Sequence, residues 1–378
     1  MGHALLHEQD RIHLDRALEL AERGRGSVSP NPVVGCVIAR AAETLGEGYH
    51  AELGGLHAER AALADAERRG NDPAGADVFV TLEPCAHTGR QPPCAEALVA
   101  AGVGRVVYAA DDPSDKTGGR GPRLLAEAGI AVELADGAEA AAARAQNQAF
   151  RKHVVTGRPL VVLKSAVTLD GRTATASGDS RWISGPQSRA LVHRWRAEAD
   201  AIAVGIGTAL ADDPLLTARD LESPAARQPL RVIFDSSARL PLSSALVGSL
   251  DVAPLVIAAA AGAPAERVEA LRGAGAEVLM LEGAGPERVD AALAELGRRD
   301  VTSLLLEGGA HLAGAFLDAG HVDELRLFVA PLLLGGAGGR PLFAGADPGA
   351  IGEARRALAI ASERSGEDVL IRARLQEY

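Results

Sequence analysis

The sequence predicts an α/β protein of two domains, and three observations carry that reading. Short apolar runs alternate with Ala-rich or amphipathic segments along most of the chain, the pattern of a mostly parallel sheet covered by helices. The 378 residues exceed one ordinary domain. The segment Thr156-Gly157-Arg158-Pro159 is the best break in the alternation. The domains are therefore set at 1–150 and 158–378.

Each element follows from local pattern. Leu14, Ala17, Leu18 and Ala21 recur at helical spacing within residues 10–23, with Asp10 as the expected cap. Ser29-Pro30-Asn31-Pro32 makes a rigid loop before an apolar strand at 33–39, which a second strand at 45–49 joins as a hairpin. Residues 57–68 form an Ala-rich helix with His57 and Glu59 in its first turn. Strands at 77–81, 105–109 and 131–134 alternate with helices opening at Cys94 and Pro122, which gives the order αββαβαβαβ. One helix at 136–151 crosses to the second half. There, strands at 160–164, 201–204, 230–234, 255–258, 277–281 and 303–306 alternate with helices at 184–197, 265–272, 286–296 and 312–319. Two last strands, 324–329 and 369–375, are expected antiparallel at an edge.

Composition excludes several function classes. Net charge is −11 with no long basic run, which argues against a nucleic-acid binder. Aromatics are 3%, too few for base stacking, and hydrophobic content of 47% must build its cores from Ala, Val and Leu. Three Cys do not make a disulfide framework and fit a reducing cytoplasm. No secretory leader and no apolar run of the ~18 residues needed for a membrane span is expected. An anionic substrate must be held by a few local Arg or Lys side chains.

The chemistry concentrates between residues 54 and 99. His57-Ala58-Glu59 and Pro84-Cys85, followed by Cys94, supply three metal ligands and a proton carrier. Catalytic zinc keeps three protein ligands and leaves one position to water. In zinc deaminases a Glu two residues after the His shuttles protons without touching the metal. Residues two apart do not share a helix face, so His57 can face the metal while Glu59 faces the substrate. The rival is a structural site completed by Cys36, but Cys36 lies inside an apolar strand and suits a buried hydrophobe better. Eight residues separate Cys85 from Cys94 instead of two, which argues against an ordinary nucleoside or nucleic-acid deaminase. That loop carries His87 and Arg90, candidates for a substrate phosphate. The Asn31 amide is a candidate for reading a polar ring edge. In the second half, Gly205-Ile206-Gly207 lacks the third Gly of a dinucleotide fingerprint, because Leu210 stands there. Leu306-Glu307-Gly308-Gly309 and 335–340 are glycine turns able to approach a phosphate.

Pro30-Asn31-Pro32-Val33-Val34-Gly35, His57-Ala58-Glu59 and the run from Pro84 to Cys94 together resemble the bacterial bifunctional deaminase–reductases of riboflavin biosynthesis. Lys164-Ser165-Ala166, Thr168-Leu169-Asp170-Gly171-Arg172, Ser180-Arg181-Trp182-Ile183, 211–217 and 306–309 resemble their reductase half. The resemblance implies a cytidine-deaminase-like three-layer domain followed by a dihydrofolate-reductase-like α/β domain. It implies zinc on His57, Cys85 and Cys94, with Glu59 as proton carrier, in hydrolytic deamination of a phosphoribosylamino-diaminopyrimidinone. It implies NADPH-dependent reduction of the ribosyl chain to ribityl. Ala166, Trp182, Thr208, Asp212, Ser236, Gly309, Ala310, His311, Leu312, Ala313, Gly314 and Ala315 would contact NADPH. Ser180, Arg196, Leu216, Arg219 and Glu307 would contact substrate, with Lys164 and Asp212 near the reacting carbon. Homo-oligomerisation through the reductase domain is also implied. The rival is a second half that binds a nucleotide without reducing anything.

Overall fold

The computed structural model describes residues 6–87, 91–114 and 117–378. The chain divides into two units, Met1–Thr156 with Tyr378, and Gly157–Glu377.

The first unit runs α1 (Glu8–Glu22), β1 (Gly35–Arg40), β2 (Glu43–Tyr49), α2 (Ala58–Arg68), β3 (Asp77–Val80), α3 (Cys94–Ala100), β4 (Arg105–Tyr108), α4 (Arg120–Glu127), β5 (Ala131–Leu134), α5 (Gly137–Gln146) and α6 (Gln148–Thr156). Its sheet has the order β2-β1-β3-β4-β5. β1 is antiparallel to both neighbours, and β3, β4 and β5 are parallel. Successive strand side chains point to opposite faces, and here each face has its own core. Cys36, Ile38, Val78, Val80 and Val106 join Ala62, Ala95 and Leu98 on the α2–α3 side. Val37, Ala39, Phe79 and Val107 join Leu14, Ala17 and Leu18 of α1 on the other. The result is three layers.

Two glycines set α2 close to the hairpin. A Cβ at Gly46 would lie 2.4 Å from the Ala62 carbonyl oxygen, and one at Gly48 2.6 Å from that of Ala58. Only glycine lets the helix backbone rest on β2, and α2 carries the catalytic candidates. Two expectations for this unit need correction. His7, not Asp10, caps α1, and Asp10 sits one turn in, accepting from the His7 N–H at 3.4 Å. The crossing segment is two helices, because Asn147 leaves the helical path to bond the Val33 main chain twice, at 2.9 Å from N–H and 2.9 Å to C=O. Cys36 is wholly buried in the core and is not one of the clustered ligand candidates.

The second unit runs β6 (Leu160–Thr168), α7 (Pro186–Glu198), β7 (Ala201–Gly205), α8 (Ile206–Asp212), β8 (Leu230–Phe234), α9 (Ala245–Gly248), β9 (Leu255–Ala260), α10 (Ala265–Gly273), β10 (Glu277–Leu281), α11 (Pro286–Arg298), β11 (Ser303–Leu306), α12 (Ala310–Asp318), β12 (Glu324–Ala330), β13 (Ala359–Ser365) and β14 (Asp368–Arg374). The nine-stranded sheet has the order β10-β9-β8-β7-β11-β6-β12-β14-β13. Both of its faces are covered: Ile202, Val204 and Leu305 enter one core, and Ala201, Ala203, Leu304 and Leu306 the other. β12 is interior rather than at an edge, parallel to β6 and antiparallel to β14. The edge is β13, which the apolar pattern does not reveal because six of its seven residues are exposed. Among the described residues no helix is long and apolar enough to cross a membrane.

Candidate functional site

In the first unit the hairpin, α2 and α3 converge. His57 is the residue just before α2, with extended backbone (φ −69°, ψ 158°), so its ring leaves the helix end toward the Cys loop. His57 Nδ1 lies 3.6 Å from Cys85 Sγ and 3.4 Å from Cys94 Sγ. Cys94 opens α3, and its N–H donates to Cys85 Sγ at 3.3 Å. Arg60 of α2 donates to the Pro92 and Pro93 carbonyls at 3.2 and 3.3 Å, tying the His segment to the Cys loop.

The three donor atoms lie within 4.8 Å of one another. Zinc arms of roughly 2.0–2.3 Å imply ligand–ligand edges of roughly 3.3–3.8 Å in a tetrahedron, and the two nitrogen–sulfur distances fall in that range. One nitrogen and two sulfurs is also the donor chemistry zinc favours. The residues therefore fit the ion. With only protons present, Cys85 is pulled down to about 4, first by its bond with Cys94 and then by His57, while sharing with Cys85 pushes Cys94 far up. A divalent cation bound there would take the place of the shared proton.

Glu59, in the first turn of α2, is 4% exposed. Burial, then the neighbouring Cys85, pushes its carboxyl up to about 7. A carboxyl near neutrality can both take and return a proton. Asn31 is oriented by a residue that the sequence does not single out. His50 Nδ1 lies 2.9 Å from the Leu56 carbonyl oxygen, which can only accept, so Nδ1 carries the hydrogen. His50 Nε2 then accepts from Asn31 Nδ2 at 3.1 Å. A lone His at a strand end carries no motif that could have announced this. His87 is exposed, and Arg90 lies outside the described residues.

In the second unit a cleft of about 830 Å³ opens at the carboxyl ends of β6, β7 and β11, where open α/β sheets bind ligands. Lys164, Ala166, Ser180, Trp182, Arg196, Thr208, Asp212, Leu216, Arg219, Glu307, Gly309 and Ala310 all line it. At its floor Arg196 grips Glu307 with two bonds of 2.7 and 3.0 Å, and Lys164 Nζ stands 3.8 Å from the same carboxylate. Burial alone would raise Glu307, but Arg196 and Lys164 outweigh it and hold the carboxyl at about 2. Burial lowers Lys164, and its distant share of Glu307 does not restore it while Arg196 stands beside it. One carboxylate for two cations leaves Lys164 the readier proton source.

Asp212 ends α8 and accepts from Arg181 at 3.2 Å. Ser236, His311, Leu312, Ala313, Gly314 and Ala315 do not line this cleft. Of α12 only its first residue, Ala310, reaches the cleft. Ala313 is in the core, and a Cβ at Gly314 would meet the Ala344 carbonyl at 2.5 Å. The 335–340 glycine turn approaches this unit's own chain: a Cβ at Gly339 would lie 2.9 Å from the Arg172 side chain. Arg181 and Arg340, which fall within stretches singled out in the sequence, also line the cleft, as do Arg189 and His193, which no motif singles out. The exposed Trp182 ring, with the Arg189 guanidinium 4.8 Å from its centroid, is the one signal that could have pointed there.

Comparison with known proteins identifies the family of each half of the chain. The family profile described as the cytidine and deoxycytidylate deaminase zinc-binding region matches residues 7–110, and that of the RibD C-terminal domain matches 159–371. The Riboflavin biosynthesis protein RibD of Actinobacillus pleuropneumoniae is 39% identical over 96% of this chain and 94% of its own length. That of Escherichia coli K12 is 42% identical over 86% of this chain and 89% of its own. The solved structure of Acinetobacter baumannii RibD, form 1, superposes with a TM-score of 0.85 at 38% identity, covering 98% of this chain and 99% of that one. A Thermotoga maritima structure, titled a diaminohydroxyphosphoribosylaminopyrimidine deaminase/5-amino-6-(5-phosphoribosylamino)uracil reductase, gives 0.84 at 32% identity, covering 98% and 99%. The tripod and the cleft thus lie in a chain that belongs to the RibD family, the bifunctional zinc deaminases and reductases of riboflavin biosynthesis.

Proposed function

We infer that residues 1–150 deaminate a diaminohydroxyphosphoribosylaminopyrimidine and that residues 158–378 reduce the deaminated product. The observation that carries the first step is the His57, Cys85 and Cys94 tripod with a buried carboxyl two residues from the His. Zinc, when held there, supplies a water whose pKa is lowered to roughly 7. The Glu59 carboxylate accepts the proton of the attacking water and returns it to the ring nitrogen. It then takes the remaining proton of the added hydroxyl and passes it to the amino group, which leaves as ammonia while the ring carbonyl forms. Asn31 Oδ1 takes a ring N–H, since its amide nitrogen is turned to His50. His87, on the long loop between the two Cys, is the described candidate for the substrate phosphate, and Arg90, the other candidate, lies outside the described residues.

In the second step NADPH, held in the cleft, would supply hydride to the ribosyl C1′. Lys164 supplies the proton that the ring oxygen takes as the C1′–O bond opens to the ribityl chain. Glu307 stays ionised throughout, anchoring Arg196 and Lys164. Ser180, Leu216, Arg219 and Arg196 surround the substrate, while Ala166, Trp182, Thr208, Asp212, Gly309 and Ala310 line the cleft for the cofactor. The three free cysteines suit a reducing cytoplasm, and homo-oligomerisation through the second unit follows the family pattern.

The test is incubation with the pyrimidine substrate, with and without NADPH, reading both products by mass. The deaminated product is expected in both, and the ribityl product only with NADPH. Deaminated product that persists with NADPH while the cofactor still binds would mean a nucleotide-binding module.

A further inference from the structure

A cation farther along the second sheet has no part in the steps above. β8 lies beside β7, followed by β9 and β10. The cleft takes in the ends of β6, β7 and β11 through Ala166, Thr208 and Gly309. A dinucleotide laid across strand ends from that cleft next meets the residues just past the end of β8, Asp235-Ser236. There Arg288, in the first turn of α11, donates to Ser236 Oγ and to the Gly283 carbonyl. Its Nε is buried with no hydrogen-bond partner. Among the described residues no carboxylate pairs with this guanidinium. The carboxylates beside the pair face other partners: Asp235 accepts from the Leu240 N–H at 2.8 Å and stands 3.8 Å from the Arg239 guanidinium, Glu287 accepts from the Ala284 N–H at 3.4 Å, and Asp290 from Arg158 at 3.0 and 2.8 Å.

We propose that Arg288, with Ser236, binds the 2′-phosphate of NADPH and makes the second unit select it over NADH. This rests on NADPH being the cofactor of that unit. A guanidinium is a planar fork of donors matched to phosphate oxygens, and it is always charged. Ser236 Oγ accepts from Arg288, so its own hydrogen is free to turn toward a phosphate oxygen. A ribose 2′-hydroxyl in place of the phosphate brings no charge, and the fork then gains nothing on binding.

The test uses the full chain as wild type, Arg288→Gln and Ser236→Ala. Calorimetry with 2′,5′-ADP and 5′-AMP, and fluorescence titration with NADPH and NADH, separate the phosphate from the rest of the nucleotide. Arg288→Gln should weaken 2′,5′-ADP and NADPH roughly 10- to 100-fold, leaving 5′-AMP and NADH within about twofold. Ser236→Ala should do the same to a smaller degree. Equal weakening of both members of each pair, no weakening, or a wild type that does not prefer 2′,5′-ADP would each overturn the assignment. Failure of the underlying cofactor reading looks different: the wild type then binds neither dinucleotide.

Discussion

The two sites are built in opposite ways. The deaminase tripod draws every ligand from one stretch of chain, 57–94, and holds them with two short devices, the helix end at His57 and the start of α3 at Cys94. The reductase floor draws Lys164, Arg196 and Glu307 from β6, α7 and the end of β11, well over one hundred residues apart at the extremes. On the proposed reading, the first site needs an ion held by its three ligands and one proton carrier beside it. The second needs a cofactor and a charge balance among Lys164, Arg196 and Glu307, whose members depend on one another. Each region should therefore fail in its own manner.

The largest effect sharpens that contrast directly. Cys85→Ser should abolish measurable ammonia release and lower zinc content, while reduction of supplied deaminated product continues at its normal rate. Zinc removal by chelator should do the same. Next, Glu59→Gln should keep zinc, by metal analysis, yet lose roughly 10²–10⁴-fold in deamination. A Glu59→Gln variant with normal turnover would break the comparison, since the first site would then need no proton carrier.

On the reductase side, Glu307→Gln leaves Arg196 and Lys164 buried together without their anion. The loss of a buried partner costs about 3–5 kcal/mol. Both tryptophans, Trp182 and Trp195, lie in the second unit, so their fluorescence in urea should report that loss while deaminase activity is unaffected. Lys164→Gln should remove the alkaline limb of the reductase pH profile. In the wild type that limb should lie below the ordinary lysine value of 10.5, because burial lowers Lys164 and a proton donor fails as pH rises through its pKa. The smallest effect tests a joint in the first unit. Asn147→Ala strips both bonds from the buried Val33 main chain and should cost about 1–3 kcal/mol, read by denaturant titration of deaminase activity.

Much of this architecture is legible in the residues alone. The element order of the first unit follows from short apolar runs and Ala-rich helical stretches, because both faces of its sheet are covered and its inner strands β1, β3 and β4 are apolar. The tripod is legible because His-x-Glu and Pro-Cys are tied to their chemistry at short range. What escapes is non-local. Asn147 looks like one more polar residue in a helix until Val33 arrives to be bonded. His50 has no neighbours in sequence to explain it. β13 shows its strand character only against β14, since its side chains face solvent.

The sequence by itself determined the two-part α/β organisation, the candidate zinc ligands and the candidate proton carrier, because periodicity, spacing and residue type act over a few positions. Tertiary structure alone decided which cations share Glu307, how the Asn31 amide is turned and where Arg288 meets Ser236. Those depend on which strand ends lie side by side, and strand order in a parallel sheet is set by packing across the whole unit.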